Sequence, residues 1–578
     1  MGSPVVDDGT LQISHGQTIT VTYQDANDGT SNPATETDTA VIDCQGPVVS
    51  NVQIEMTSCA AAAVTFETDE PSTAYIRCGL SCPGPYTITG KDAKLTMSHR
   101  VVLEDLISEE DYYFVIDVND VAGNQTTDSN AGLCYWFTTG SGPAIIYVPA
   151  DYPTIQDAID AAISCTTILV ADGVYTGLGN RDIDFRGKVI TLQSENGPDN
   201  CIIDCQGSAL DEHRGFWFRR GEDRTSVLDG FTIINAYTTN KGGGIVCYIG
   251  SPTIQNCIIS NNHAGKRTTY HCGGAGMAIN SSDPRIINCI IKDNYSFNRG
   301  GIFIEGGDVE IINCAIVGND ADYVQELFGG HKWSYGGGIC SIDANVVIKN
   351  CLIADNWSYR FSGGIEINSG SVVISNCTIA NNTAGEEDGG VGESNPTNTT
   401  ITNCIIWANQ APSNPQLNAA ITDVSYSDVQ DGYLGTGNIN QDPCFADLCD
   451  GNYHLQSQAG RWNPNTDSWV TDTNTSPCID AGDPNSDWTA ELWPHGKCIN
   501  MGAYGGTAEA SMSNSTASNI ANLDNDVNDV VDYNDLDIFV KKWCYEESLL
   551  AEDLNRDGVV NSVDYGIFAN NWLAGTMP

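Results

Sequence analysis

The sequence predicts a mainly β protein: a parallel β-helix solenoid, with an antiparallel β-sandwich before it and a small α-helical, cation-binding module after it. Three observations carry this. The heptapeptide NCIISNN at 256–262 returns five times in variant form, its first Asn falling at 256, 288, 313, 350, 376 and 403. A Gly-rich step into an apolar residue stands 11 residues before the first five of these Asn and 12 before the sixth. Near the C-terminus, two twelve-residue acidic loops repeat one spacing of Asp and Asn.

The totals bound the setting. A chain of 578 residues exceeds one ordinary core, so several domains are expected. A net charge of −49 repels nucleic acid and anionic membrane. No apolar run is long enough for a transmembrane segment, and no basic n-region leads into an apolar core, so no signal peptide is visible. Twenty-two cysteines suit an oxidising location, extracellular or at the cell surface. Cys78/Cys82, Cys201/Cys205, Cys444/Cys449, Cys59/Cys134 and Cys478/Cys498 are candidate disulfides; zinc is disfavoured because no CxxC pair occurs.

Along the chain, residues 1–45 read as partial sandwich strands, expected to belong to a domain that begins further upstream. Residues 46–142 alternate in strand fashion, as in VVSNVQIEM and DYYFVIDVND, with turn residues between the runs. From 143 to 512 the heptapeptides dominate. Their spacing varies from 25 to 37 residues, which excludes helical repeats of fixed period. A coil of short strands about 4.8 Å apart explains it, because each rung must repeat its inward side chains while loops bulge at the corners at little entropic cost. Alternation sends Cys257, Cys289, Cys314, Cys351, Cys377 and Cys404 inward as small apolar filler. Both Asn positions are expected at corners, in left-handed backbone or in amide ladders. Ile155, Ile159 and Ile163 share one helical face, expected to close the open end of the coil.

In residues 513–578, DLNRDGVVNSVD places Asp553, Asn555, Asp557, Asn561 and Asp564 at loop positions 1, 3, 5, 9 and 12. DNDVNDVVDYND places Asp524, Asp526, Asn528, Asp532 and Asp535 likewise, with Asp529 where the second loop has Gly558. That spacing wraps hard oxygen ligands round a Ca²⁺ ion. Helices LDIFVKKW and YGIFANNW follow.

Several stretches resemble known families. YPTIQDAIDAAISCTTILVADGVYTG (152–177) resembles the opening of secreted right-handed β-helix proteins of the pectate-lyase-like superfamily. The exit SPCIDAGDPN…CINMGAYGG (476–506) is similar to the tails of such proteins on bacterial surfaces. TDEPSTAYIRCG and YYFVIDVNDVAGN resemble fibronectin type III modules, which implies a spacer. The paired loops with their F-x₃-W helices resemble a dockerin, which implies a calcium-dependent plug for a cohesin-like protein.

Chemistry is expected on the corner loops 262–276, 294–301, 319–338 and 356–364, which hold ten aromatics and more cations than acids. Tyr270, Tyr295, Trp333, Tyr335, Trp357 and Tyr359 are candidates to stack on sugar rings. Lys266, His271, Arg299, His331, Lys332 and Arg360 are candidate bases or carboxylate partners of a lyase. Glu366, with Glu386, Glu387 or Asp388, is a candidate for the carboxylate pair of a hydrolase. The same aromatics could instead pin the loops to the coil. Two functions remain: a rod that binds or cleaves polysaccharide, tethered by its calcium module, or a non-enzymatic adhesin or filament subunit assembled head to tail.

Overall fold

The computed structural model describes residues 14–25, 34–58, 61–104, 106–107, 109–140, 145–266, 272–322, 324–325, 332–395, 398–448, 450–515, 519–524 and 530–573. The chain divides into two compact units, Met1–Ala144 and Ile145–Pro578.

In the first unit, Thr18–Asp25 and Ala34–Val41 form an antiparallel hairpin. The remaining strands are also antiparallel and centre on Ala61–Gly79, which pairs with Val49–Ser58, Ile88–Leu103 and Asp111–Asp120. Alternate residues of these strands, among them Val64, Phe66, Ile76, Phe114 and Ile116, bury one core. A disulfide joins Cys82 to Cys134, not to Cys78, whose thiol is buried. Cys201 and Cys205 are likewise separate thiols. Four residues of extended strand span roughly 13 Å, beyond the reach of a disulfide. Cys478 contacts the Asp428 carboxylate at 3.1 Å, and Cys498 contacts Gly482 O at 3.2 Å; neither is paired with the other. Cys444 is also a free thiol, while Cys59 and Cys449 lie outside the described residues.

The second unit opens on helix Ile155–Ala161, capped by Thr154. Ile155 and Ile159 are fully buried, but Ile163 is 69% exposed. The expected third contact is absent because the backbone is already extended at Ala162, so the helix ends before a third turn. Strands then stack in parallel, rung on rung, in three ladders: a long sheet of paired segments, a ten-stranded sheet and a six-stranded sheet. Register is continuous, as in Ile258↔Ile290↔Ala315↔Leu352↔Thr378↔Ile405. The six Cys preceding these residues therefore form one interior column, each no more than 2% exposed. The Cys289 sulfur donates to Ile287 O at 3.3 Å, and burial pushes the Cys257, Cys289, Cys314 and Cys377 thiols well up. The six side chains fill the interior column.

The first Asn of each heptapeptide is left-handed, with φ between 49° and 57° at 256, 288, 313, 350, 376 and 403. The second is not. The residue before it carries the positive φ, as at Asp293 (54°) and Asp355 (56°). The second Asn is buried and hands its amide along the rod. Nδ2 of 262, 294, 319, 356 and 382 each donates to Oδ1 of the next Asn at 2.9–3.0 Å. Asn409 ends the ladder on Gln416 at 2.9 Å. The glycine steps serve close approach between rungs more than reversal of direction: a Cβ on Gly300 would lie 1.8 Å from Gly337 O.

The tail after Cys478 folds back over the outer Asn column. Asn350 Nδ2 donates to Gly505 O at 2.7 Å, and Asn403 Oδ1 accepts from Asp483 N at 2.7 Å. The C-terminal module has helices Tyr533–Lys541 and Ser562–Asn570, with Phe539 stacked on Phe568 at 5.3 Å between centroids. Arg556 reaches Trp493 O of the tail at 3.2 Å.

Candidate functional site

Two outward columns meet at the corner where the six-stranded sheet turns through glycine into the long sheet. On the six-stranded sheet, Tyr237, His263, Tyr295, Asp320, Trp357 and Thr383 stand in register. Their rings stack where they are adjacent: Tyr237 on His263 at 4.2 Å and His263 on Tyr295 at 5.2 Å. Asp320 interrupts the stack. Asp322 points outward two residues on, paired in register with Phe297, and accepts from Tyr295 OH at 2.8 Å. The carboxylate pair is thus framed by Tyr295 and Phe297 on one rung and by Trp357 and Tyr359 on the other. Burial, then the charge of Asp322, pushes the Asp320 carboxyl up to about 6. Asp320 Oδ1 has no hydrogen-bond partner among the described residues.

The second column precedes the glycines: Arg299, Tyr335, Phe361 and Glu387 bridge in succession. Arg299 is only 5% exposed, its guanidinium 4.5 Å from the Phe303 ring centroid and 5.8 Å from that of Tyr335. Arg360 lies over Trp333 and Phe361 at 4.6 and 4.5 Å and pairs with Glu386 at 2.5 Å. Trp333, Tyr335 and Phe361 pack on one another. Here the aromatics and arginines pin the corner together. Lys266 is exposed beyond the His263–Ala264 strand, whereas Tyr270, His271 and His331 lie outside the described residues.

Beneath this wall, an outward column of the long sheet runs Asp184, Trp217, Val246, Ala278, Phe303, Cys340, Glu366, Gly392. Glu366 points outward but is buried, accepting hydrogen bonds from Ser362 Oγ at 2.5 Å and from Ser394. Burial pushes its carboxyl up to about 7 against those two bonds. Asp388 is buried with it, bound by Asn414 and Asn418 at 3.0 Å each. Glu366 and Asp388 therefore sit in a closed polar pocket, whereas Glu386 and Glu387 are exposed and Asp320 and Asp322 are half-buried on the wall. Strand parity marks those two in the sequence as sharing a face; their aromatic frame depends on register between rungs.

The two acidic loops near the C-terminus present buried acids. Asp535 and Asp564, at position 12, are fully buried, and each accepts the backbone N–H of position 9 at 2.8 Å. Asp524, Asp532 and Asp535 bring carboxylate oxygens within 4.8 Å of one another. Asp553 is fully buried, and burial, with the nearby charge of Asp564, raises its carboxyl. Asn555 and Asp557 line the same loop. Asn561 caps the second helix. Crowded buried carboxylates suit a hard divalent cation, which Asp553, Asn555, Asp557, Asp564 and the Val559 carbonyl would hold. In the first loop, Asp526 and Asn528 lie outside the described residues.

Two family models match parts of the chain. Residues 183–331 match the family described as right handed beta helix region, and residues 337–482 match one described as disaggregatase related. No curated protein matches. Among solved structures, the chain is similar to a family 28 exopolygalacturonase of Yersinia enterocolitica, at 10% identity and TM-score 0.25, over 69% of this chain and 88% of that one. It is also similar to a PL6 family alginate lyase at 14% identity and TM-score 0.25, over 58% of this chain and 57% of that one. The central region of this chain is a right-handed β-helix domain.

Proposed function

We propose that the β-helix is an extracellular polysaccharide-binding rod, and that the C-terminal module is a calcium-dependent plug for a cohesin-like partner. The gap at Asp320 carries the reading. Tyr295 and Trp357 stand two strand spacings apart, roughly 10 Å, which leaves room for one sugar ring between two aromatic side chains. Asp320 and Asp322 then offer hydrogen bonds to its hydroxyls. Among the described residues no helix is long and apolar enough to cross a membrane, so anchoring through the module suits the molecule.

The raised carboxyl of Asp320 with a second carboxyl group two residues along the same face favours a second step, glycoside hydrolysis. Asp320 gives its proton to the glycosidic oxygen as the anomeric C–O bond breaks. Asp322 takes a proton from the water whose oxygen forms the new bond.

Retention on a panel of neutral and acidic polysaccharides, with assays for new reducing ends and unsaturated products, tests both. Retention with reducing ends, lost in Asp320→Asn while retention persists, supports binding and hydrolysis. Retention without product supports binding alone. If no glycan is retained and the protein assembles into filaments, a structural rod replaces this reading.

A further inference from the structure

At the first rungs, away from the loop wall, three guanidinium groups converge on one carboxylate oxygen. Arg219 Nη2, Arg220 Nε and Arg186 Nη1 lie 3.0, 3.4 and 3.7 Å from Asp184 Oδ2. Asp184 is 3% exposed, and its other oxygen accepts the Arg186 N–H at 2.8 Å. Burial disfavours its charge, yet that bond and the Arg219 and Arg220 guanidiniums hold its carboxyl below the ordinary value. The turn at Gly187, φ 73°, permits this approach: a Cβ there would lie 2.9 Å from Arg220 O. Glu222 fixes the turn from beneath, accepting from Gly187 N at 2.8 Å and Arg220 N at 2.9 Å.

One buried carboxylate needs one arginine; three over-supply it. The arginine side chains are 41–49% exposed. Among the described residues, the terminal nitrogens of Arg220 have no hydrogen-bond partner, and Arg186 spends only Nε on Asp160, at 3.2 Å. The remaining N–H groups face solvent in fixed positions, a geometry that suits a planar or tetrahedral oxyanion. Arg219 also lies over the Trp217 ring at 4.9 Å, which fixes its plane. One residue past the Phe218↔Cys247 pairing, Arg219 faces Tyr248 on the next rung, and that ring is 54% exposed.

We propose that Arg186, Arg219 and Arg220, oriented by Asp184, form a subsite for the oxyanion of an acidic glycan, a carboxylate or a sulfate ester, with Tyr248 as the platform for the adjoining sugar ring. The inference rests on the polysaccharide reading and names its substrate class. It also explains how a chain of net charge −49 engages an anionic polymer: the contact is local and its donors are pre-oriented.

Calorimetric titration of the full chain with an oligouronate, a sulfated oligosaccharide, a neutral oligosaccharide of equal length and inorganic sulfate tests it. An acidic oligosaccharide should bind more tightly than the neutral one, and Arg219→Gln/Arg220→Gln should weaken it about tenfold or more while leaving neutral-glycan affinity unchanged. Whichever acidic probe binds tighter identifies the oxyanion. Tyr248→Ala should weaken both acidic and neutral chains. A melting temperature within a few degrees of wild type shows that the variants are folded; should the glutamine pair unfold, Arg220→Gln alone serves. Acidic-glycan affinity within about twofold of wild type in folded variants overturns the subsite and leaves general glycan binding standing. So does inorganic sulfate binding as tightly as any glycan. If the wild type binds no glycan at all, the polysaccharide reading itself fails.

Discussion

Glu366 shows how far a residue's environment departs from its text. It stands beside an apolar strand residue in an outward position, yet loops and neighbouring rungs close over it, and burial lifts its carboxyl from 4.5 to about 7. The folded state therefore holds the proton that the unfolded chain releases, so stability falls as pH rises from about 4.5 to about 7 and levels off above. Glu366→Gln should flatten that limb and raise the melting temperature near neutral pH, read from thermal unfolding between pH 4 and 8. An unchanged profile would assign the pH dependence to other buried acids such as Glu491, whose carboxyl is pushed up to about 8. Arg299 makes the complementary point. It reads as a surface cation, but Phe303 and Tyr335 enclose it. Arg299→Ala should destabilise the rod by about 1–3 kcal/mol through lost packing and stranded partners, with the release of reducing ends altered far less than by Asp320→Asn.

Among the elements, the heptapeptide was the most legible. Its alternation and its distance from the glycine step were enough to place the interior thiol column. The division of labour between its two Asn was not legible, because φ at one residue and amide pairing between rungs leave the same letter in the text. Asn356→Ala removes the acceptor of the Asn319 backbone N–H and of one Asn319 side-chain N–H, and the side-chain donor to Ile316 O, with a cost of about 1–3 kcal/mol for each group left unpaired. Asn350→Ala at the outer corner loses two tail contacts, to Ala503 O and Gly505 O, and a left-handed preference, a smaller penalty at a half-buried site. Denaturant unfolding of the two variants should rank them in that order. The entry helix was found by periodicity, but its end was overrun because periodicity does not mark where backbone becomes extended.

For the whole molecule, the paired acidic loops imply a part that folds with its ion. Chelation should unfold residues 519–573, seen as loss of helical signal and cleavage by protease near 541–556, while the β-helix stays resistant. Arg556 lies at loop position 4 and donates to Leu550 O and Asp553 O at 2.7 Å each as well as to Trp493 O in the tail. Arg556→Gln should consequently loosen the module from the tail even with calcium present, detectable as faster proteolysis in the linker near 515. Equal protection of both forms would show that the apolar contacts of the interface suffice.

Sequence alone determined the coil and its interior column, because each is a local rule repeated in the text: alternation within a strand and a fixed offset to glycine. Only the tertiary structure decided which outward residues face solvent and which are roofed over. It set Asp320 between aromatics from neighbouring rungs, gathered three arginines on Asp184, and buried the outward side chains of Arg299 and Glu366. Those outcomes depend on the register between turns and on loops crossing them, and neither is encoded at any single position of the chain.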